Sequence, residues 1–341
     1  MTVSVIILNW NTKELLGTFL PEVVKHSAMP GVDVVLADNG SSDGSVEWVK
    51  ENFPEVKILA FGENMGFAGG YNRALSLVDT ELSVLLNSDV APGRGWLVPL
   101  IALMASTPTA AACVPKIKDY KKPSHFEYAG AAGGFIDFFG YPFCRGRIFN
   151  VAEEDQHQYD KAGPIFWGSG AALMVRTSLF IESGGLDSDF FAHMEEIDWC
   201  WRVKNQGHSI FYVPSSEVFH LGGGTLNYEN PNKTYLNFRN NLFLLLKNKA
   251  GFMVFPLIIA RFFLDFAALL NFLVNGEKNN AFAVSKAHRH FLKYFIKFYR
   301  KRNALKPLLV CRKHSEIYKG SVVMDFFIRK KRYFSELRFF I

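Results

Sequence analysis

Residues 3–11 read "VSVIILNWN", an apolar run broken only by Ser4 and ending abruptly in short polar side chains around a tryptophan. A strand with one solvated face alternates apolar and polar residues; this run does not, so it reads as a strand covered on both faces. Three more runs of the same kind follow: "VDVVLA" (32–37), "VKILAF" (56–61) and "LSVLL" (82–86). Between them lie "TKELLGTFLPEVVKHS", "GSVEWVKENF" and "MGFAGGYNRALSLV", each with helical character. Strand–helix alternation with continuous apolar strands predicts an α/β fold, a mostly parallel sheet flanked by helices on both sides.

In such sheets ligands sit beyond the carboxyl ends of the strands, so the residues there carry the functional information. The four strands end in "NWN" (9–11), "DNGSSDGS" (38–45), "GENMGFAGGYN" (62–72) and "NSD" (87–89). Turn and helix-cap chemistry explains any one of these loops. Four on one rim point to a ligand. A dinucleotide site is excluded because its G-x-G-x-x-G should follow the first strand, whereas Gly66, Gly69 and Gly70 follow the third at another spacing. There is no G-x-x-x-x-G-K-[ST] loop either.

Residues 96–228 are less regular. "FEYAGAAGGFIDFFGYPF" reads as hairpin and loop, and "WGSGAALMVRTSLFIESGG" as a loop, a strand and a short helix stopped by Gly184–Gly185. An acidic helix and two short runs, "SIFYV" and "SEVFHLGGG", complete this part. The rest is helical. It contains "GFMVFPLIIARFFLDFAALLNFLV" (251–274), which has spanning length but carries Pro256, Arg261, Asp265 and Asn271. A span should hold few or no charges, so this helix is expected to lie in a membrane interface or pack on the body, with Arg261 and Asp265 paired at i,i+4. The expected organisation is two halves of one domain, 1–95 and 96–228, followed by a helical, basic region, 229–341.

The chain of 341 residues is 49% apolar, enough for a sizeable core, and has net charge +6. From Lys286 onward there are 16 Lys/Arg against 3 Asp/Glu, a surplus of 13 that leaves residues 1–285 at −7. A basic, Phe-rich tail on an acidic body implies an anionic partner, and without a nucleic-acid motif the membrane surface is the expected one. Four scattered cysteines without a C-x-x-C fit a reducing compartment rather than a disulfide framework or a zinc site. No basic n-region precedes the first apolar run, so no cleavable signal is expected.

Three groups carry candidate chemistry. Asp89 follows a buried strand and offers an oxygen ligand for Mg²⁺ or Mn²⁺, with Asn87 beside it. His220 ends an apolar run next to glycines, and an imidazole in an oxygen site favours Mn²⁺. The acidic helix "MEEIDWCWR" (194–202) places Met194, Ile197 and Trp201 on an apolar face at about 100° per residue. Glu195, Asp198 and Arg202 fall on an adjoining face, with Asp198 and Arg202 in the favourable i,i+4 order. Glu196 lies nearly opposite the apolar stripe, with no evident partner. Helical phase makes Asp198 a support residue but does not choose between the glutamates.

Taken in order, "VSVIILNWNTKELL", "ADNGSSDGSVEWV", "ENMGFAGGYNRAL", "LLNSDV", the long stretch from Trp167 to Gly224 and "YLNFRNNLFLLLKN" resemble the family-2 glycosyltransferases of the GT-A fold, particularly the bacterial rhamnosyltransferase-like branch. The resemblance covers residues 3 to about 248. It implies a Rossmann-like GT-A domain with a C-terminal, membrane-associating extension. It also implies inverting transfer of a sugar from a nucleotide-sugar donor to a hydroxyl of a glycan or lipid-linked acceptor, in surface-polysaccharide synthesis at the inner face of the plasma membrane. Donor contacts are implied for Asn9, Asn11, Asp38, Asn64, Gly66, Asn72, Arg73, Asn87, Ser88 and Asp89, with Asp38 at the nucleoside. Asn87-Ser88-Asp89 stands where the family has Asp-x-Asp, so Asp89 would hold a divalent metal (Mn²⁺ or Mg²⁺) against the diphosphate, with His220 as a further ligand. Trp167, Gly168, Ser169 and Gly170 would face the acceptor. The family's base position is Glu196, with Glu195 as second choice and Asp198 completing the acidic motif. This chain departs from the pattern twice: Asn87 removes one charge, and Glu196 is a methylene longer than the usual aspartate. Those departures sustain a second reading, a catalytically silent nucleotide-sugar-binding scaffold. A nucleotidyltransferase is a third, but it lacks a basic glycine-rich loop after the first strand.

Overall fold

The computed structural model describes residues 1–222 and 231–339; the boundary expected at 228/229 lies outside the described residues. The elements run β1 (Val3–Asn9), α1 (Lys13–Ser27), β2 (Val32–Asp38), α2 (Ser45–Asn52), β3 (Lys57–Ala60), α3 (Gly66–Leu75), β4 (Leu82–Leu86), β5 (Val90–Pro92), α4 (Leu97–Ser106) and β6 (Ala110–Asp119). Then come β7 (Gly134–Asp137), β8 (Pro142–Cys144), β9 (Arg147–Ile148), β10 (Val151–Ala152), β11 (Gly163–Ile165), β12 (Ala172–Arg176), α5 (Thr177–Glu182), α6 (Glu195–Asn205) and β13 (Ser209–His220). The chain closes with α7 (Pro231–Asn248), α8 (Val254–Val274), α9 (Lys278–Leu305) and β14 (Ile317–Tyr318).

The main sheet has the order β11-β13-β6-β12-β4-β1-β2-β3, with β5 on the edge of β13. Its β3-β2-β1-β4 part is parallel, as the continuous apolar runs predicted. Both faces are covered: Val5 and Ile7 pack with Leu16 and Leu100 on one side, while Ile6 packs with Tyr71 and Ala74 on the other. Beyond β4 the sheet is mixed, because β12 runs antiparallel to both β4 and β6. The two runs read separately as "SIFYV" and "SEVFH" are one strand, β13. Its register against β6 slips between Val213 and Glu217, where Pro214 has no N–H to offer the ladder.

A second sheet, β10-β9-β8-β7-β14, was not expected. Its edge strand β14 comes from the basic tail and pairs parallel to β7, and Glu316 beside it bonds Lys204 of α6 at 3.0 Å. The rings of Phe243 on α7 and Phe298 on α9 stack at 3.7 Å. The C-terminal region is therefore built into the body. In α8, Arg261 and Asp265 are 1% and 0% exposed and face inward. Asp265 accepts from Tyr141 at 2.9 Å and lies 3.1 Å from His288, while Arg261 donates to Phe139 O at 3.0 Å. The opposite face of α8 exposes Ile259, Phe263, Phe266, Leu270 and Leu273.

Candidate active site

The polar ends of β1, β2 and β4, the start of α3 and the start of α6 converge on a cavity of about 450 Å³. Asn9, Asn11 and Asp38 form its scaffolding rather than its lining. The Asn9 amide donates to Asp38 Oδ1 (2.9 Å), Ser41 Oγ (3.0 Å) and Ser45 Oγ (2.8 Å). Its oxygen accepts from Thr12 at 2.6 Å, and Asp38 Oδ2 accepts from the Ser41 N–H at 3.0 Å. Asn11, in a left-handed conformation, accepts from the Ser42 N–H at 2.8 Å. Through these bonds the three residues hold the loop in shape. Trp10, 52% exposed, and the buried Asn39 line the cavity beside them. Asn39 in turn donates to Asn64 Oδ1 at 3.0 Å, and Asn64 and Gly66 line the cavity. Asn72 and Arg73 do not: Asn72 clips the backbone N–H and C=O of Leu186, and Arg73 is exposed outside the cavity.

Asn87, Ser88, Asp89 and His220 meet at the other side of the rim. The pairing of His220 with Val90 on β5 brings the imidazole to Asp89, with Nε2 3.1 Å from Oδ1. Asn87 Nδ2 is 3.5 Å from the same nitrogen. Sequence reasoning missed Glu127, a 3% exposed carboxylate whose Oε2 lies 3.2 Å from His220 Nδ1. Gly222 makes room for it: a Cβ there would stand 2.8 Å from Glu127 Oε1, and its φ of +63° suits glycine. Burial alone would push His220 toward neutrality, but the two carboxylates outweigh it and raise the imidazole to about 10. That donor set fits a divalent cation. Asp89 would offer a metal one oxygen ligand and His220 one nitrogen ligand, and Glu127 would then orient the imidazole from behind. The other carboxylate–histidine group, Asp155, His157 and Asp160, already surrounds Lys116, whose Nζ is 2.9 Å from Asp155 and 2.5 Å from Asp160.

Glu195 and Glu196 open α6 at the cavity, each with a buried Oε2 that has no hydrogen-bond partner among the described residues. Burial raises Glu196 to about 7. Glu195 is raised well above its ordinary range, by burial and then by the neighbouring Glu196 charge. Asp198 differs in kind. It is fully buried, its Oδ2 accepting from Arg202 (2.9 Å) and Lys247 (2.8 Å) and its Oδ1 from Asn248 (2.8 Å). Burial pushes it upward, yet Lys247 and Arg202 hold it below the usual carboxylate value. It is no base but the tie between α6 and α7.

The segment before α6 is strained. Phe191, His193 and Met194 all have positive φ, a conformation that costs non-glycine residues on the order of 1–3 kcal/mol each. Asn240 of α7 offsets this by donating to the carbonyls of Phe190, Ala192 and His193 at 2.8–2.9 Å. No local signal in "NFRNNLF" reveals that role. On the side expected to face the acceptor, only Ser169 and Gly170 line the cavity. Trp167 lies beneath, its indole against Gly134 and donating to Phe135 O at 2.9 Å, and Gly168 packs on Val114 and Leu173.

Residues 4–178 match the family model "Glycosyl transferase family 2". An N-acetylglucosaminyl-diphospho-decaprenol L-rhamnosyltransferase of Mycobacterium tuberculosis is 31% identical over 207 residues, 55% of this chain and 66% of that protein, so the chain spans just under two thirds of this relative. The low-salt glycan biosynthesis hexosyltransferase Agl10 of Haloferax volcanii is 24% identical over 244 residues, 70% of this chain and 73% of that one. Among solved structures, a mannosyltransferase of Pyrobaculum calidifontis in complex with GDP-Man and Mn²⁺ superposes with TM-score 0.53 at 16% identity, covering 90% of this chain and 85% of that one. The fold is GT-A, and since the family model spans about half of the 341 residues, this protein belongs to glycosyltransferase family 2.

Proposed function

We propose that the protein catalyses inverting, metal-dependent transfer of a sugar from a nucleoside-diphosphate sugar to a hydroxyl of a glycan or lipid-linked acceptor, in bacterial surface-polysaccharide assembly. One observation carries this reading: a single cavity lined by both the Asp89–His220 pair and Glu196, a carboxylate whose proton affinity burial raises. A sugar hydroxyl is a poor nucleophile, so a carboxylate must take its proton as attack proceeds. Glu196 has a free oxygen for that proton and an affinity near working pH. Glu195 beside it is raised as well, by burial and then by the Glu196 charge, so the two carboxyls share their titration. A divalent cation bound at Asp89 and His220 supplies charge stabilisation to the departing diphosphate. The anomeric centre is attacked opposite the leaving group, and a single base suffices for inversion.

The acceptor class is argued from the relatives, and the working location is the cytoplasmic membrane surface. The outward face of α8 is apolar and uncharged apart from the polar Asn271, and the tail carries the chain's positive charge.

The test is to incubate the protein with Mn²⁺, candidate nucleotide-sugars and a lipid-linked glycan, and to measure release. Nucleoside diphosphate is the expected product, and Asp89→Ala should remove its metal dependence. Pyrophosphate release would make the protein a nucleotidyltransferase. Donor binding with no release would make it a scaffold.

A further inference from the structure

The C-terminal end of α7 borders a second cavity, of about 290 Å³, separate from the one described above. Lys247, Lys249, Arg302, Lys306 and Arg312 line it, and no aspartate or glutamate does. Lys247 is neutralised by Asp187 and Asp198 at 2.7 and 2.8 Å. The other four cations have no carboxylate within ion-pair distance among the described residues. Arg302 is only 7% exposed; it donates to the carbonyls of Leu246 (2.9 Å), Lys249 and Gly251 (2.7 Å), which cap α7 but carry no net charge to balance it. Burial pushes both Lys249 and Arg302 toward their neutral forms, a cost that a bound anion would reverse.

The rim is of opposite character. Phe252 and Met253, at the corner before α8, are 87% and 59% exposed. Leu308 and Val310, on either side of the lining residue Leu309, are 50% and 77% exposed. Phe252 is itself part of the lining. From that corner the exposed apolar stripe Ile259, Phe263, Phe266, Leu270, Leu273 continues along α8, a helix of 21 residues with no outward charge. A water-borne anion needs no such surroundings. A cationic cavity with exposed apolar side chains in and next to its lining matches a phosphate at the boundary between headgroups and acyl chains.

We infer that this cavity binds the headgroup phosphate of an anionic membrane phospholipid, with the Phe252–Met253 corner and the α8 stripe entering the acyl boundary beside it. The inference deepens the membrane-surface reading above and rests on it, but not on the chemistry of transfer.

The test is co-sedimentation of the full chain with vesicles of phosphatidylcholine alone or mixed with phosphatidylglycerol. The mixed vesicles should be preferred. Lys306→Ala/Arg312→Ala removes two exposed cavity cations and should weaken that binding about 25-fold, from roughly fivefold per cation at a membrane surface. Lys330→Ala/Arg338→Ala removes two exposed tail cations elsewhere and should weaken it far less. Phe252→Ser should release the protein from mixed vesicles without any change in charge. Equal losses in the two double variants, or none in the first, would overturn the cavity and leave only diffuse attraction. A wild-type protein that ignores both kinds of vesicle would overturn the membrane-surface reading as well.

Discussion

In Glu196→Gln a carboxylate at the start of α6 becomes a neutral amide of the same shape, and two properties should change in opposite directions. Burial holds the wild-type group at about 7 against an ordinary 4.5, so the folded chain binds this proton more tightly than the unfolded chain. The stability linked to Glu196 is therefore complete below the unfolded value and is lost as pH rises through about 7. At 1.36 kcal/mol per unit, the deficit grows from about 1 kcal/mol at pH 5 to about 3 kcal/mol at pH 8. Glutamine has no such dependence. Urea titrations should find the variant more stable than wild type at pH 8, with the gap nearly closed at pH 5. Turnover should fall by roughly 10²–10⁴, the usual weight of a general base. In wild type, turnover should rise along an acidic limb centred near pH 7. Glu195→Gln provides the contrast: it keeps the Glu196 carboxylate and should retain turnover. A Glu196→Gln protein with wild-type stability at pH 8, or with turnover within tenfold of wild type, would refute the assignment.

Asp198→Asn should be the opposite kind of lesion, since it leaves Lys247 and Arg202 buried without their shared carboxylate; a loss of about 3–5 kcal/mol is expected, read as a lower urea midpoint at pH 7. Because those cations hold Asp198 low, its contribution is present at neutral pH and fades only on acidification below the ordinary 3.8. An unchanged midpoint would mean that α6 and α7 are tied by other contacts. Glu127→Gln should weaken Mn²⁺ binding about 10–100-fold by freeing the far nitrogen of His220, measured by paramagnetic resonance of the free ion without substrate. Unaltered Mn²⁺ affinity would reduce Glu127 to a packing role.

Much of the site's framework is written locally. Continuous apolar runs specify strands covered on both faces, and their polar ends specify where the crevice opens, because each signal needs only neighbours a few residues away. The phase of "MEEIDWCWR" likewise sets Asp198 beside Arg202 and separates Glu196 from the apolar stripe, since both follow from 3.6 residues per turn. Other features depend on which distant segments pack together, and local periodicity carries no record of that. Glu127 meets His220 only because β6 and β13 pair. Asn240 becomes the clamp of a strained loop only when α7 lies across it. Arg261 and Asp265 count against a membrane helix in sequence, yet the packing of α8 turns both inward and leaves an apolar face outside. Asn9 and Asp38 read as ligand contacts, and only the closed loops show that they also hold the rim together, Asn9 donating to Asp38, Ser41 and Ser45. Sequence by itself determined the parallel half of the sheet, its rim and the acidic helix. Only tertiary structure decided which polar groups stay free for chemistry, because a group's availability depends on every partner that folding brings to it.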